Sequence, residues 1–130
     1  MLTVLSPAKK LSKECIGRTK NHDLPRFLDR SKELVGHLKG MEPGDLMSLM
    51  GISEKLAILN WERMQNWKKS FKPDCSMESA YCFMGDTYTG LDAESLSDQD
   101  MSFAQTHTRI LSGLYGILRP LDLMMPYRLE

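Results

Sequence analysis

The run Ser112-Gly-Leu-Tyr-Gly-Ile-Leu-Arg-Pro-Leu-Asp122, followed by Pro126-Tyr-Arg-Leu-Glu130, sets two glycines and an arginine among apolar residues without helical or alternating order. Glycine at 113 and 116 marks places where the backbone takes φ > 0 or where another group comes close to the main chain. Arg119 precedes a proline, so it is expected in extended or turn geometry, a fork of donors beside buried Ile117 and Leu118. Two readings of Arg119 stand: a structural clasp onto a carboxylate such as Asp122, or one side of an anion or ligand site. Read outward from this run, Arg109 to Leu118 is a buried strand or extended segment. The fold class is then α+β, a mixed sheet with packed helices and strands paired out of chain order.

Toward the N-terminus, Leu2 to Ser6 reads as a short buried strand stopped by Pro7. Asp23 is expected to cap a helix with Pro25 near its first turn and with Phe27, Leu28, Leu34, Val35 and Leu38 on the docking face, closed by Gly40. Pro43 starts a second helix through Met50. Ser53 caps a third that runs to about Lys69, with Leu56, Leu59, Met64 and Trp67 among its buried positions. Ala80 to Met84 reads as a strand and Gly85 to Gly90 as a loop. Ser97 with the carboxylates after it suits the start of a helix ending near His107.

Net charge is zero, but it is distributed unevenly. Residues 1–72 hold 14 Lys and Arg against 8 Asp and Glu, and residues 73–130 hold 3 against 9. The basic half is where a polyanionic partner is sought. Three cysteines, Cys15, Cys75 and Cys82, lack CxxC spacing, which argues against a disulfide framework and fits a cytoplasmic protein. No run approaches the roughly 20 apolar residues of a membrane helix. His22, His37 and His107 have no ligand spacing, so no metal and no cofactor is expected. The apolar tail from Leu121 to Leu129 is expected to need cover from further chain.

The corner Leu49-Met-Gly-Ile-Ser-Glu-Lys-Leu-Ala57 resembles the hairpin of helix-hairpin-helix DNA-binding modules, the whole unit spanning about residues 43–69. A tight turn at Gly51 to Ser53 would aim backbone amides at a phosphate oxygen, Lys55 would add charge, Ile52 would plug the space between helices, and Ala57 would let them approach. The usual second glycine is Ser53 here. The competing reading is an ordinary helix corner with Gly51 as its cap.

Four blocks, Leu5-Ser-Pro-Ala-Lys9, Gly85-Asp-Thr-Tyr-Thr-Gly-Leu91, Leu111 to Asp122 and Pro126 to Glu130, resemble the YaaA family of bacterial proteins associated with peroxide stress. One position departs, Lys10 where the family usually has Thr. The resemblance implies the N-terminal portion of a single YaaA-like domain. It also implies a DNA-binding protein, contacting duplex DNA without sequence preference, whose loss exposes cells to oxidative damage through iron handling. An enzyme or small-molecule binder is the alternative, its pocket built from the family blocks with Lys9, Asp86, Tyr88, Tyr115 and Arg119 as candidate acid, base or anion-clamp residues.

Overall fold

The computed structural model describes residues 1–69 and 71–129, so Glu130, the end of the fourth block, lies outside the described residues. Its β elements are β1 (Thr3–Leu5), β2 (Met77–Glu78), β3 (Thr108–Ser112), β4 (Gly116–Leu118) and β5 (Leu123–Met124). The helices are α1 (Leu28–Lys39), α2 (Pro43–Met50), α3 (Glu54–Asn66), α4 (Ser79–Cys82), α5 (Asp86–Leu91) and α6 (Asp98–His107), with a 3-10 turn at Ala93–Ser95. The class is α+β. β1 pairs in parallel with β3, which pairs antiparallel with β4 to give the order β1-β3-β4, while β2 and β5 form a separate antiparallel pair.

The decisive run is a hairpin. β3 and β4 are joined by a turn over residues 113–115, with Ser112 opposite Gly116 and Leu111 opposite Ile117. Both glycines are used as their chemistry requires. Gly116 has φ +76, and a Cβ on Gly113 would lie 2.5 Å from the carbonyl oxygen of Leu129, closer than any side chain tolerates. The tail is not left open: Leu121, Leu123, Met124 and Tyr127 are buried in the chain's own core.

Helices α2 and α3 begin where expected. Pro43 occupies the first turn of α2, and the Glu42 and Asp45 side chains form a reciprocal cap with each other's backbone amides. Gly51 closes α2 in the left-handed region at φ 62, its amide bonded to Met47 O. Ser53 caps α3, accepting from the Leu56 amide. The buried stripe of α3 is Ala57, Asn60 and Met64, with Trp67 just beyond it, whereas Leu56 and Leu59 face outward.

Five expectations are corrected. α1 starts at Leu28 with Phe27 at its cap. Asp23 is instead drawn into a parallel bridge with Asp122, because Asp23 N donates to Leu121 O and Leu123 N to Asp23 O. Of the expected face, Leu28, Val35 and Leu38 are buried, but Phe27 and Leu34 are exposed and Ser31 takes the space, donating to Leu114 O. Residues 80–84 are not a strand. Ser79 fixes a helical turn there, its amide on Asp122 O and its hydroxyl on Arg119 O, so the local aromatic content is overruled by tertiary bonds. Residues 85–90 are not a loop either, since Gly85, at φ 127, turns the chain directly into α5. β1 is present but is not the buried strand expected, since Val4 on it and Leu2 just before it are exposed.

Candidate functional site

The first two sequence blocks lie side by side. Segment 6–12 runs along residues 82–88: Met84 N donates to Lys10 O (2.9 Å), Ser12 N donates to Cys82 O (2.8 Å), and Leu11 bridges Phe83. Tyr88, aimed inward by α5, donates to Ser6 O at 2.5 Å and stacks on Phe83 with centroids 5.4 Å apart. Burial and then the neighbouring Tyr127 push its phenol up to about 12. Lys9 and Asp86 are exposed on the same two segments. A cleft of about 180 Å³ is lined by Tyr81, Phe83, Gly85, Tyr88, Asp92 and Glu94, with neither Lys9 nor Asp86 in its wall. Among the described residues Asp92 is the one non-glycine with positive φ, at 47°, where it caps α5 in the left-handed region.

The third and fourth blocks build the core. Tyr115 is fully buried; its hydroxyl receives Trp67 Nε1 (3.1 Å) and Met125 N (3.0 Å) and donates to Met125 O (3.2 Å). Its ring meets Tyr127 and Phe71 edge-on, and burial raises its phenol strongly. Ser112 Oγ lies 2.6 Å from Tyr127 OH and accepts Tyr115 N. With every polar valence of its hydroxyl engaged, Tyr115 is a fastening rather than a reacting group.

Arg119 is a clasp in this structure. Its Nε and Nη2 reach Asp122 Oδ1 at 3.0 and 2.9 Å, its amide reaches Asp122 Oδ2 at 2.8 Å, and Nη2 also donates to Leu24 O. Burial raises the Asp122 carboxyl against the downward pull of Arg119 and Gln105. Gln105, which sequence reading passed over, is the third member of this hub: it donates to Asp23 and Asp122 and accepts Leu121 N at 2.7 Å. Glu78 was missed too, a fully buried carboxylate whose two oxygens hold Arg18 N at 2.8 and 2.9 Å. A lone acid between Met77 and Ser79 was the available signal.

At the α2–α3 corner Gly51, Ser53 and Lys55 are exposed, while Ile52 and Ala57 are buried between the helices. The amides of Glu54 and Lys55, in the first turn of α3, have no intrahelical acceptor. At the other end of α3, about 20 Å away by helix rise, Lys32, Lys39, Lys68 and Lys69 rim a groove of about 210 Å³ floored by Val35 and Trp67. Lys69 is paired with Asp29, and that hydrogen bond holds the Asp29 carboxyl below its usual range.

The three cysteines are free: Cys15 is half-buried, Cys75 exposed and Cys82 buried, with burial pushing Cys15 up to about 11 and Cys82 to about 12. Among the described residues no group of three or more His, Cys, Asp or Glu is placed to hold a metal, and no helix is long and apolar enough to cross a membrane.

Fold and site together define an α+β protein in which the recurring blocks are interlocked scaffold around an aromatic core, with a lysine-bearing helix corner outside it. The chain belongs to the YaaA peroxide stress family: the family model described as "Peroxide stress protein YaaA" matches residues 1–130. It is 55% identical over 130 residues to a UPF0246 protein of Cupriavidus metallidurans and 49% identical to one of Shewanella sediminis. All of this chain is covered in both cases, against 50% and 51% of those relatives. The chain thus spans about half the length of the curated relatives it matches.

Proposed function

We propose that this chain is part of a cytoplasmic DNA-binding protein of the peroxide stress response, one that grips duplex DNA through its phosphates and reads no bases. The observation that carries the reading is the α2–α3 corner. A left-handed glycine and a serine cap stand beside exposed Lys55, with Ile52 buried, which supports the hairpin reading although Ser53 replaces the motif's second glycine. The exposed Glu54 carboxylate works against a phosphate there, so Lys55 and the helix dipole must outweigh it. The lysine-rimmed groove at the far end of α3 supplies further phosphate contacts along a duplex.

The test is a titration of labelled duplex across salt. Lys55→Ala is expected to weaken binding and reduce the salt slope by about one, with stability changed by no more than a few tenths of a kcal/mol. Gly51→Val is expected to lose binding together with about 1–2 kcal/mol of stability, because a β-branched residue is strained at φ 62. Affinity and salt slope both unchanged in Lys55→Ala would overturn the corner as the contact.

A second reading, a small-molecule or enzymatic pocket, draws support from the cleft at Tyr81 to Glu94, where Asp92 is held in a strained conformation beside Gly85 and Tyr88. Tyr115, Arg119 and the Tyr88 hydroxyl are engaged by the fold, so of the sequence candidates Tyr88 meets this cleft through its ring, while Lys9 and Asp86 stand outside its lining.

A further inference from the structure

The sheet β1-β3-β4 has a buried inner face and an outer face on which aliphatic residues surround one charged side chain, Arg109, whose guanidinium donates to the Gln105 and Thr108 carbonyls. Residues opposite one another across a sheet share a face, and alternate residues along a strand return to it. The registers Val4 to Arg109 and Leu111 to Ile117 therefore put Leu2, Val4, Arg109, Leu111 and Ile117 on one side. The other side carries Ile110 and Leu118, both fully buried in the core. The outer four aliphatic residues are open: Leu2 is 56% exposed, Val4 53%, Leu111 45% and Ile117 43%.

A sheet covered on one side only alternates apolar with polar residues; here, apart from Arg109, the outer positions Leu2, Val4, Leu111 and Ile117 are aliphatic instead. Its middle strand β3, parallel to β1 and antiparallel to β4, carries Leu111 on this open side. A contiguous aliphatic patch of this kind marks an interface. Leu129 runs against the β3–β4 turn, its carbonyl next to Gly113, so chain joined after position 130 starts at the end of this sheet. The relatives carry about as much chain again as the part matched here.

We propose that the outer face of this sheet, formed by Leu2, Val4, Leu111 and Ile117, is the docking surface for an apolar layer supplied by the half of the relatives that this chain does not cover. That layer packs on it in the same molecule and makes a three-layer arrangement, in which the sheet becomes an inner one.

The experiment extends this chain with the remaining half of the Cupriavidus metallidurans relative and introduces Leu111→Cys or Ile117→Cys in a Cys15→Ser, Cys75→Ser background, with labelling read at the introduced position by peptide mass so that Cys82 does not contribute. Maleimide labelling under native conditions is expected to be at least about tenfold slower in the extended protein than in the same protein unfolded in urea, at all protein concentrations. Labelling at the unfolded rate overturns the proposal. So does protection that disappears on dilution, which would assign the face to a second copy. Ile117→Lys gives an independent reading in the extended protein: a clear fall in the thermal midpoint is expected, and an unchanged midpoint means that the face is open and the proposal wrong.

Discussion

Gly113 and Gly36 show how the same residue type carries opposite consequences. A Cβ at 113 would sit 2.5 Å from the Leu129 carbonyl oxygen, a backbone atom that cannot swing aside, whereas one at 36, inside α1, meets nothing within 4 Å. Gly113→Ala is therefore expected to cost about 1–3 kcal/mol through overpacking. Gly36→Ala is expected to add about 0.5–1 kcal/mol by reducing the freedom of the unfolded chain. Urea midpoints of the two variants check both signs, and a neutral Gly113→Ala would mean that residues 126–129 are not held against the turn. The cysteines divide in the same residue-by-residue way. Cys75 is exposed and is expected to be alkylated first by iodoacetamide, while Cys82, buried and with its thiol pushed up to about 12, is expected to react only as the fold opens. Rapid native alkylation of Cys82, read by peptide mass, would contradict that burial.

Among the elements, those whose ends are fixed by local chemistry were legible in advance. Ser97 accepts Asp100 N at 3.1 Å and the Asp100 carboxylate returns to Ser97 N, so α6 begins where a serine three residues before an acid says it must. Ser97→Ala is expected to cost about 1 kcal/mol, measurable by thermal or urea unfolding. Pro43, Gly51 and Ser53 spell out the α2–α3 corner in the same way. The region from Ser79 to Leu91 was not legible, because its helical turns are imposed by partners distant in sequence: Asp122 and Arg119 hold Ser79, and Ser6 receives Tyr88. Asp23 misled for the same reason, an acid before a proline that is engaged by Gln105 and the 121–123 backbone rather than by a helix. Of the candidate site, the clasp of Arg119 on Asp122 was one of two readings in sequence, and its choice depended on Gln105 and Leu24, which no spacing announces. Arg119→Ala strands a buried carboxylate and is expected to cost about 3 kcal/mol. If Arg119 instead served a ligand, the variant would keep its stability and lose ligand binding.

At the scale of the whole molecule, the core is held by groups that must stay uncharged, and this sets its response to alkali. Phenols and thiols are woven through it: Tyr88 on Ser6 O, Tyr115 among Trp67 and Met125, Cys82 under the segment at Ser12, and Cys15 beside the Cys75 carbonyl. Burial raises all four, Cys15 to about 11 and Cys82 and Tyr88 to about 12, with Tyr115 higher still. In the unfolded chain the same thiols ionise near 9 and the phenols near 10. Between those values and the folded ones the native state binds more protons than the unfolded state, so unfolding free energy must fall as pH rises. Stability is expected to be unaffected by these groups up to about pH 9 and to decline steadily from there through about pH 12. Urea unfolding followed by the fluorescence of Trp61 and Trp67 at pH 8, 9, 10 and 11 reads the decline directly. Tyr88→Phe removes one of the raised groups and is expected to make the decline shallower above pH 10, at the cost of the hydrogen bond to Ser6. A midpoint that stays level from pH 8 to 11 would mean that these hydroxyl and thiol groups are open to water, and that the interlocking of the first two blocks with the core is looser than their contacts indicate.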